Sequence, residues 1–182
     1  MTAQYDVRPV HAHEWREIRD LRLRALSDEA APMAFLESSA EAAARPDAFW
    51  QDRAQGSSVE AGPGAGARQF VAVTGDGDWA GTAVALVERA GDADFEGAVV
   101  DRPGGHVVGV YLCPEHRGRG VLGDLFRAVT EWLREIGLDH VRLYVHAENA
   151  RAQRAYEKSG FRPTGTRISG PIGPEIEMAR TL

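Results

Sequence analysis

The sequence predicts an α/β domain built on a mixed sheet, and three observations carry that reading. An apolar run at 107–113 passes through a glycine-rich turn directly into a helix with a single apolar stripe. That helix is followed by Val141 to Val145, which alternates apolar and polar residues as a half-buried strand does. The length, 182 residues, suits one such domain spanning 1–182 and leaves little for a second.

The elements follow in order. Tyr5 to Val10 alternates weakly and reads as an opening edge strand. From His11 to Glu29 the residues Trp15, Ile18, Leu21, Ala25 and Leu26 recur at three- and four-residue steps, a helix that Pro32 ends. A less regular helical stretch runs from Ser38 to Gln55, interrupted by Pro46. Gly56 to Ala67 is loop by composition. Gln69 to Thr74 and Trp79 to Glu88 read as strands joined by the hairpin turn Gly75-Asp76-Gly77-Asp78. Gly91 to Gly105 reads as a second loop before the strand at 107–113. In the helix at 121–136, Val121, Leu122, Leu125, Phe126, Val129, Trp132, Leu133 and Ile136 share one face, and Gly137 stands where a left-handed C-cap belongs. A strand at 141–146, a helix at 149–159, a strand at 161–166 and a last strand from Glu175 to Arg180 complete the order. There is no internal repeat and no heptad pattern.

Composition narrows the function. Lys and Arg number 21 against 27 Asp and Glu, a net charge of −6, which argues against a general affinity for nucleic acid or anionic membrane. One cysteine, Cys113, permits no intrachain disulfide, so a reducing compartment is expected. Met1 to Pro9 contains no long apolar run, and nowhere does the chain approach the ~20 apolar residues of a membrane span. It reads as soluble and cytoplasmic. His11 and His13 form no metal set with any Cys or carboxylate at ligand spacing, so no metal is expected.

Pro114-Glu115-His116-Arg117-Gly118-Arg119-Gly120-Val121 joins strand to helix. Such a junction exposes backbone N–H groups at the positive end of a helix dipole, a ready anion site, and Arg117 and Arg119 add charge at the rim. By itself it reads first as a tight turn with two solvated arginines. Gly118-Arg119-Gly120-Val121-Leu122-Gly123 is also a literal G-x-G-x-x-G. A dinucleotide site is the weaker reading, because that fingerprint belongs in a first βαβ unit with an acidic residue ~20 positions on. Position 143 here is Leu.

Val110-Tyr111-Leu112-Cys113-Pro114-Glu115-His116-Arg117-Gly118-Arg119-Gly120 resembles the acyl-CoA-binding motif of the GNAT superfamily of N-acyltransferases. The core pattern Gln/Arg-x-x-Gly-x-Gly/Ala is met by Arg117 and Gly120, with Leu122 at the last position and Gly123 one residue on. The later run from Asn149 through Ala152 and Tyr156 to Gly160-Phe161 is similar to that family's second signature at every position. Arg22-Leu23-Arg24-Ala25-Leu26 and Ala34-Phe35 look like its acceptor-side helices.

The resemblance implies a GNAT-like fold, with a central, mostly antiparallel, splayed sheet flanked by helices. Acceptor-side helices would lie in 1–60 and the acyl-CoA-binding core in 107–166. It implies an N-acetyltransferase that moves an acetyl group from acetyl-CoA (coenzyme A) to a primary amine of a small molecule or peptide by direct attack. Backbone groups of Val110, Tyr111 and Leu112 would pair with the pantetheine arm, with the sheet splaying between 107–113 and 141–146. Arg117 and the segment Gly118, Arg119, Gly120, Val121, Leu122 and Gly123 would hold the pyrophosphate. Asn149 would contact the pantetheine while also capping the helix that begins at Ala150.

Tyr156 is then the residue placed to return a proton to the departing thiolate, since a thiol near pKa ~8.5 accepts from a phenol near ~10. For the amine's proton, some relatives place a carboxylate at a position held here by Tyr144, which is no comparable base. His106 has the parity of Val108 and Val110 and the tuning of a general base, although its plainer reading is a surface histidine beside Gly104-Gly105. His146, Glu37 and Glu41 are further candidates. Cys113 lacks a histidine partner, so a covalent cysteine route is not expected. The alternative to an enzyme is an acyl-CoA-binding module or sensor without turnover. The acceptor pocket should come from the helices between Trp15 and Trp50 and the loops at 91–105 and 167–175. A last strand with a free edge would allow a homodimer.

Overall fold

The computed structural model describes residues 5–182. A short strand, β1 (Asp6–Pro9), leads through a 3-10 turn into helix α1 (Trp15–Leu26), followed by α2 (Ser39–Ala43) and α3 (Asp47–Ser57). Then come β2 (Ala67–Val73), β3 (Trp79–Glu88), β4 (Gly104–Leu112) and α4 (Val121–Glu135). The chain closes with β5 (His140–His146), α5 (Ala150–Lys158), β6 (Arg162–Gly170) and β7 (Gly173–Thr181). The strands form one seven-stranded sheet in the order β1-β2-β3-β4-β5-β7-β6. Every neighbouring pair is antiparallel except β4 and β5.

Helices cover both faces. The stripe of α4 puts Leu125, Phe126, Val129 and Leu133 out of solvent against Phe70, Ala72, Ala83, Val107 and Leu143. Each such side chain contributes about 1.5–3 kcal/mol relative to exposure. The helix stops at Gly137, φ +86°, where Leu138 N–H bonds to Leu133 C=O and Gly137 N–H to Arg134 C=O. Those are the two bonds of a Schellman cap. On the other face, Trp15 and Ile18 of α1 and Trp50 and Ala54 of α3 pack on Val71. Residues 70 and 72 therefore face one helical layer and 71 the other, which is the period-two geometry of a strand buried on both sides.

Several boundaries differ from expectation. The strand expected to begin at 107 begins at Gly104, because Gly104, Gly105 and His106 pair with Glu88, Val87 and Leu86 of β3. Gly105 is where α4 comes down on the sheet: a Cβ there would lie 2.4 Å from Leu133 Cδ1. The helical stretch from Ser38 to Gln55 is two helices. Ser38 and Glu41 form a capping box on α2, and Pro46 precedes α3. The last strand is not at the sheet's edge. β7 lies between β5 and β6, so the edge at that end of the sheet is the largely exposed β6, and the expected use of the last strand as a dimer edge is corrected accordingly.

Candidate active site

Backbone hydrogen bonding opens the site. β4 and β5 are in register only at Gly105–Val141 and His106–Arg142. Just beyond, β4 carries an extra residue against β3: Val108 faces Val84 and Tyr111 faces Thr82, leaving two residues opposite one. Gly109 sits in this bulge at φ +62°, a left-handed conformation that glycine adopts without the penalty other residues incur. The bulge bends β4 away from β5, and the backbone after His106 has no partner strand on that side. Polar backbone of this kind must be satisfied by something else.

Two cavities meet at this opening. The first, about 590 Å³, is lined by Val110, Tyr111 and Leu112 of β4, by Arg117, Gly118, Gly120, Val121, Leu122 and Gly123 of the turn, and by Asn149 and Tyr156. The second, about 450 Å³, is lined by His106 to Val110, by residues 33–37, by Arg22 and Arg53, and by Phe95, Glu96, Ile172 and Glu175. Val110, Asn149, Tyr156, Ala34 and Phe35 belong to both walls. The segment from α1 to α3 and the loop before β4 contribute to the second cavity as expected, whereas the stretch 167–175, expected as a loop, is the end of β6, a two-residue turn and the start of β7.

The turn into α4 is shaped for close approach from outside. Gly118 and Gly120 have φ of +73° and +84°, and nothing lies within 4 Å of a Cβ built on either. Gly120 occupies the N-cap position without any side-chain cap, so the first amides of α4 lie free beside the cavity. Arg117 is not a rim charge. Its Nε–H donates to Leu112 C=O at 3.1 Å and its Nη2 bonds Asp28, whose carboxyl is held below the usual range despite burial. Arg119 is exposed and does not line the cavity. The positive charge comes instead from α5, where Arg151, Arg154 and Lys158 line it. Their spacing of three and four residues is the signal that could have revealed this face in the sequence.

Asn149 caps α5, its Oδ1 accepting from Ala152 N–H at 3.1 Å. Tyr156 lies edge-on to Phe126, ring centroids 5.7 Å apart, and burial pushes its phenol up to about 12. Its hydroxyl has no hydrogen-bond partner among the described residues.

His106 is only 5% exposed, contrary to its plainer reading as a surface histidine. Its Nδ1 lies 3.4 Å from Glu88 Oε1, and its ring is enclosed by Phe95 and Tyr144 at 5.3 and 5.7 Å. Burial alone would raise Glu88, but hydrogen bonds from His106 and Arg142 bring it down to about 2. Arg142 also binds Asp94 and Glu177, and Tyr144 donates its hydroxyl to Glu177 at 2.9 Å. Tyr144 is thus a structural phenol, its proton retained through burial and the Glu177 hydrogen bond.

The remaining candidates separate. His146 is buried, and its Nδ1 accepts the Glu148 amide at 3.2 Å, so a neutral ring carries its proton on Nε2 and offers no base there. Glu41 is committed to the cap of α2, and Glu37 binds Arg22 and Arg45. Cys113 is buried, its thiol pushed up mainly by that burial. Glu175, which the sequence did not single out, lines the second cavity with its carboxyl raised by burial. Among the described residues no group of three or more His, Cys, Asp or Glu is arranged to hold a metal ion.

Comparison with known proteins bears on this arrangement. The profile of the Acetyltransferase (GNAT) family matches residues 15–161. A stretch of 65 residues is 42% identical to a mycothiol acetyltransferase of Beutenbergia cavernae, covering 36% of this chain and 22% of that protein. Another of 104 residues is 36% identical to the streptothricin acetyltransferase of Streptomyces lavendulae, covering 55% of this chain and 47% of that protein. The matches therefore span less than half the length of these relatives. A phosphinothricin acetyltransferase from Sinorhizobium meliloti, solved with acetyl-CoA, superposes on all of this chain and 89% of its own at a TM-score of 0.71, with 19% identity. The profile covers most of the chain, and the splay, the glycine turn and the Asn149–Phe161 signature all lie inside it: the chain belongs to the GNAT acetyltransferase family.

Proposed function

We propose that this protein is an N-acetyltransferase that uses acetyl-CoA to acetylate a primary amine on a small molecule or peptide. The observation that carries the reading is the meeting of two cavities at the β4–β5 splay, with Tyr156 in the wall of both. The first cavity fits coenzyme A on three counts. Backbone of β4 at 110–112, which has no partner strand on the β5 side, suits the amides of pantetheine. The free amides of α4 suit pyrophosphate, and Arg151, Arg154 and Lys158 suit its remaining negative charge. Streptothricin and phosphinothricin acetyltransferase, by their names, point to small-molecule acceptors. The net negative charge and the free, buried Cys113 suit a cytoplasmic setting.

Bound there, acetyl-CoA supplies a thioester whose carbonyl carbon the amine attacks, so that a C–N bond forms and the C–S bond breaks. His106, oriented by Glu88 at Nδ1, takes the amine's proton at Nε2. Tyr156, still protonated at neutral pH, gives its proton to the sulfur. Holding both partners across one opening supplies much of the rate, since positioned reactants behave as if highly concentrated. A sensor without turnover would need neither the second cavity nor the buried His106–Glu88 pair. Purified protein, acetyl-CoA and a broad amine panel test the reading by thiol release. Absence of release above background with every amine would defeat it.

A further inference from the structure

We propose that the acceptor carries a carboxylate, the simplest such acceptors being free amino acids, and that Arg22 and Arg53 bind that carboxylate in the second cavity. The proposal rests on the acetyltransferase reading above and assigns the substrate class of the same site. The two arginines come from different helices, α1 and α3, yet both line the cavity and both reach the bulge at Gly109.

Their positive charge is under-compensated. Arg22 is 18% exposed and stacks on Phe35, with its guanidinium carbon 4.5 Å from the ring centroid, while its buried Nε has no hydrogen-bond partner. Glu37 is the counter-charge both arginines feel, but it is shared with Arg22 at 3.5 Å and Arg45 at 3.0 Å. Among the described residues Arg53 makes no ion pair. Burial pushes both guanidinium groups down, and the charge of Arg53 lowers Arg22 further.

Two like charges held near each other at a half-buried site are costly unless a third group of opposite sign completes the site. A guanidinium pair is suited to an oxyanion through charge-assisted, often bidentate hydrogen bonds. The wall beyond β5 has the opposite character, with Glu96 and the half-buried Glu175. A molecule with an ammonium group and a carboxylate matches both walls. A polyamine would match only one and would be repelled at the arginines.

The test uses the full chain. Thiol release is measured for a panel of amino acids, each beside its carboxamide, with spermidine as the cationic control, in the parent protein and in Arg53→Gln and Arg53→Lys. The expected result is that amino acids exceed their carboxamides by about tenfold or more in kcat/KM, a difference of about 1.4 kcal/mol. Arg53→Gln should abolish that ratio while thermal melting stays near the parent's, and Arg53→Lys should restore part of it. Equal rates for carboxamides, faster turnover of spermidine, or an unchanged ratio in Arg53→Gln would overturn the proposal.

A protein that binds coenzyme A but acetylates none of these would refute the enzymatic reading instead. Calorimetry of N-acetyl amino acids against the coenzyme A-loaded protein then decides the site. Saturable binding weakened by Arg53→Gln sustains it, and no binding overturns it.

Discussion

His106 and Arg142 form the last ladder pair between β4 and β5, and both side chains reach one carboxylate, Glu88. Arg142 further gathers Asp94 from the loop at 89–103 and Glu177 from β7. The sheet begins to open immediately past a knot of charge that ties four strands and a loop together.

Removing the centre of that knot should be severe. Arg142→Gln leaves Glu88, Asp94 and Glu177 without their shared cation, and breaking a buried pair of this kind costs about 3–5 kcal/mol. Chemical denaturation should read this as a lower midpoint. A change under about 1 kcal/mol, the range of a surface pair, would show that the knot is merely solvated.

The same carboxylates give acid sensitivity a definite sign. Glu88 titrates near 2 in the fold against an ordinary value of 4.5, and Asp94 and Glu177 are lowered too. A lowered folded value means stability that is fully present above about pH 4.5 and is lost as pH falls toward 2. Glu88→Gln should flatten that part of the pH–stability curve, measured by urea unfolding at stepped pH. Parallel curves for parent and variant would remove Glu88 as a contributor.

Tyr156→Phe should retain fold and coenzyme A affinity, since it removes one oxygen that has no hydrogen-bond partner among the described residues. Turnover should fall by about 10²-fold or more, the scale of a positioned general acid. Because the phenol stands at about 12, raising the pH to 9 should not by itself depress the parent's rate through this group. Near-normal turnover in the Phe variant would assign proton delivery to water.

Gly120→Val tests the glycine turn. At φ +84° a side chain costs about 1–2 kcal/mol in strain and narrows the approach to the first amides of α4. Coenzyme A affinity should drop sharply in a protein that still melts cooperatively. Calorimetry returning the parent's affinity would move the pyrophosphate elsewhere.

The basic face of α5 makes a separate prediction. Replacing Arg151, Arg154 and Lys158 together by Gln should weaken coenzyme A binding at low salt and leave little difference at high salt, where exposed charges are screened. A loss independent of salt would point to damage in α5 itself.

Local pattern made α4 legible, because eight apolar residues fall on one face and Gly137 ends it. The Asn149 cap and the glycine turn were readable for the same reason, as neighbours in sequence are neighbours in space. Gly104 to His106 was not, since two glycines beside a histidine have loop composition. What makes them strand is the approach of Leu133 and pairing with β3, both distant in sequence. The interior place of β7 likewise depends on strand order, which no local window contains. No local pattern marks Arg53 or Glu175, which folding brings from distant segments into the lining of one cavity.

The bulge at Gly109 has a kinetic consequence. Because it opens the sheet where the two cavities meet, the reaction proposed above would give each reactant its own side of the opening, and neither would have to leave for the other to enter. Initial-rate plots should intersect, as a ternary complex requires, rather than run parallel as for a relay through an acetylated side chain. A single molecule joining an amine acceptor to coenzyme A through a short tether would thread the opening and occupy both sides at once. Its affinity should exceed that of either half by the gain that comes from making the second encounter intramolecular.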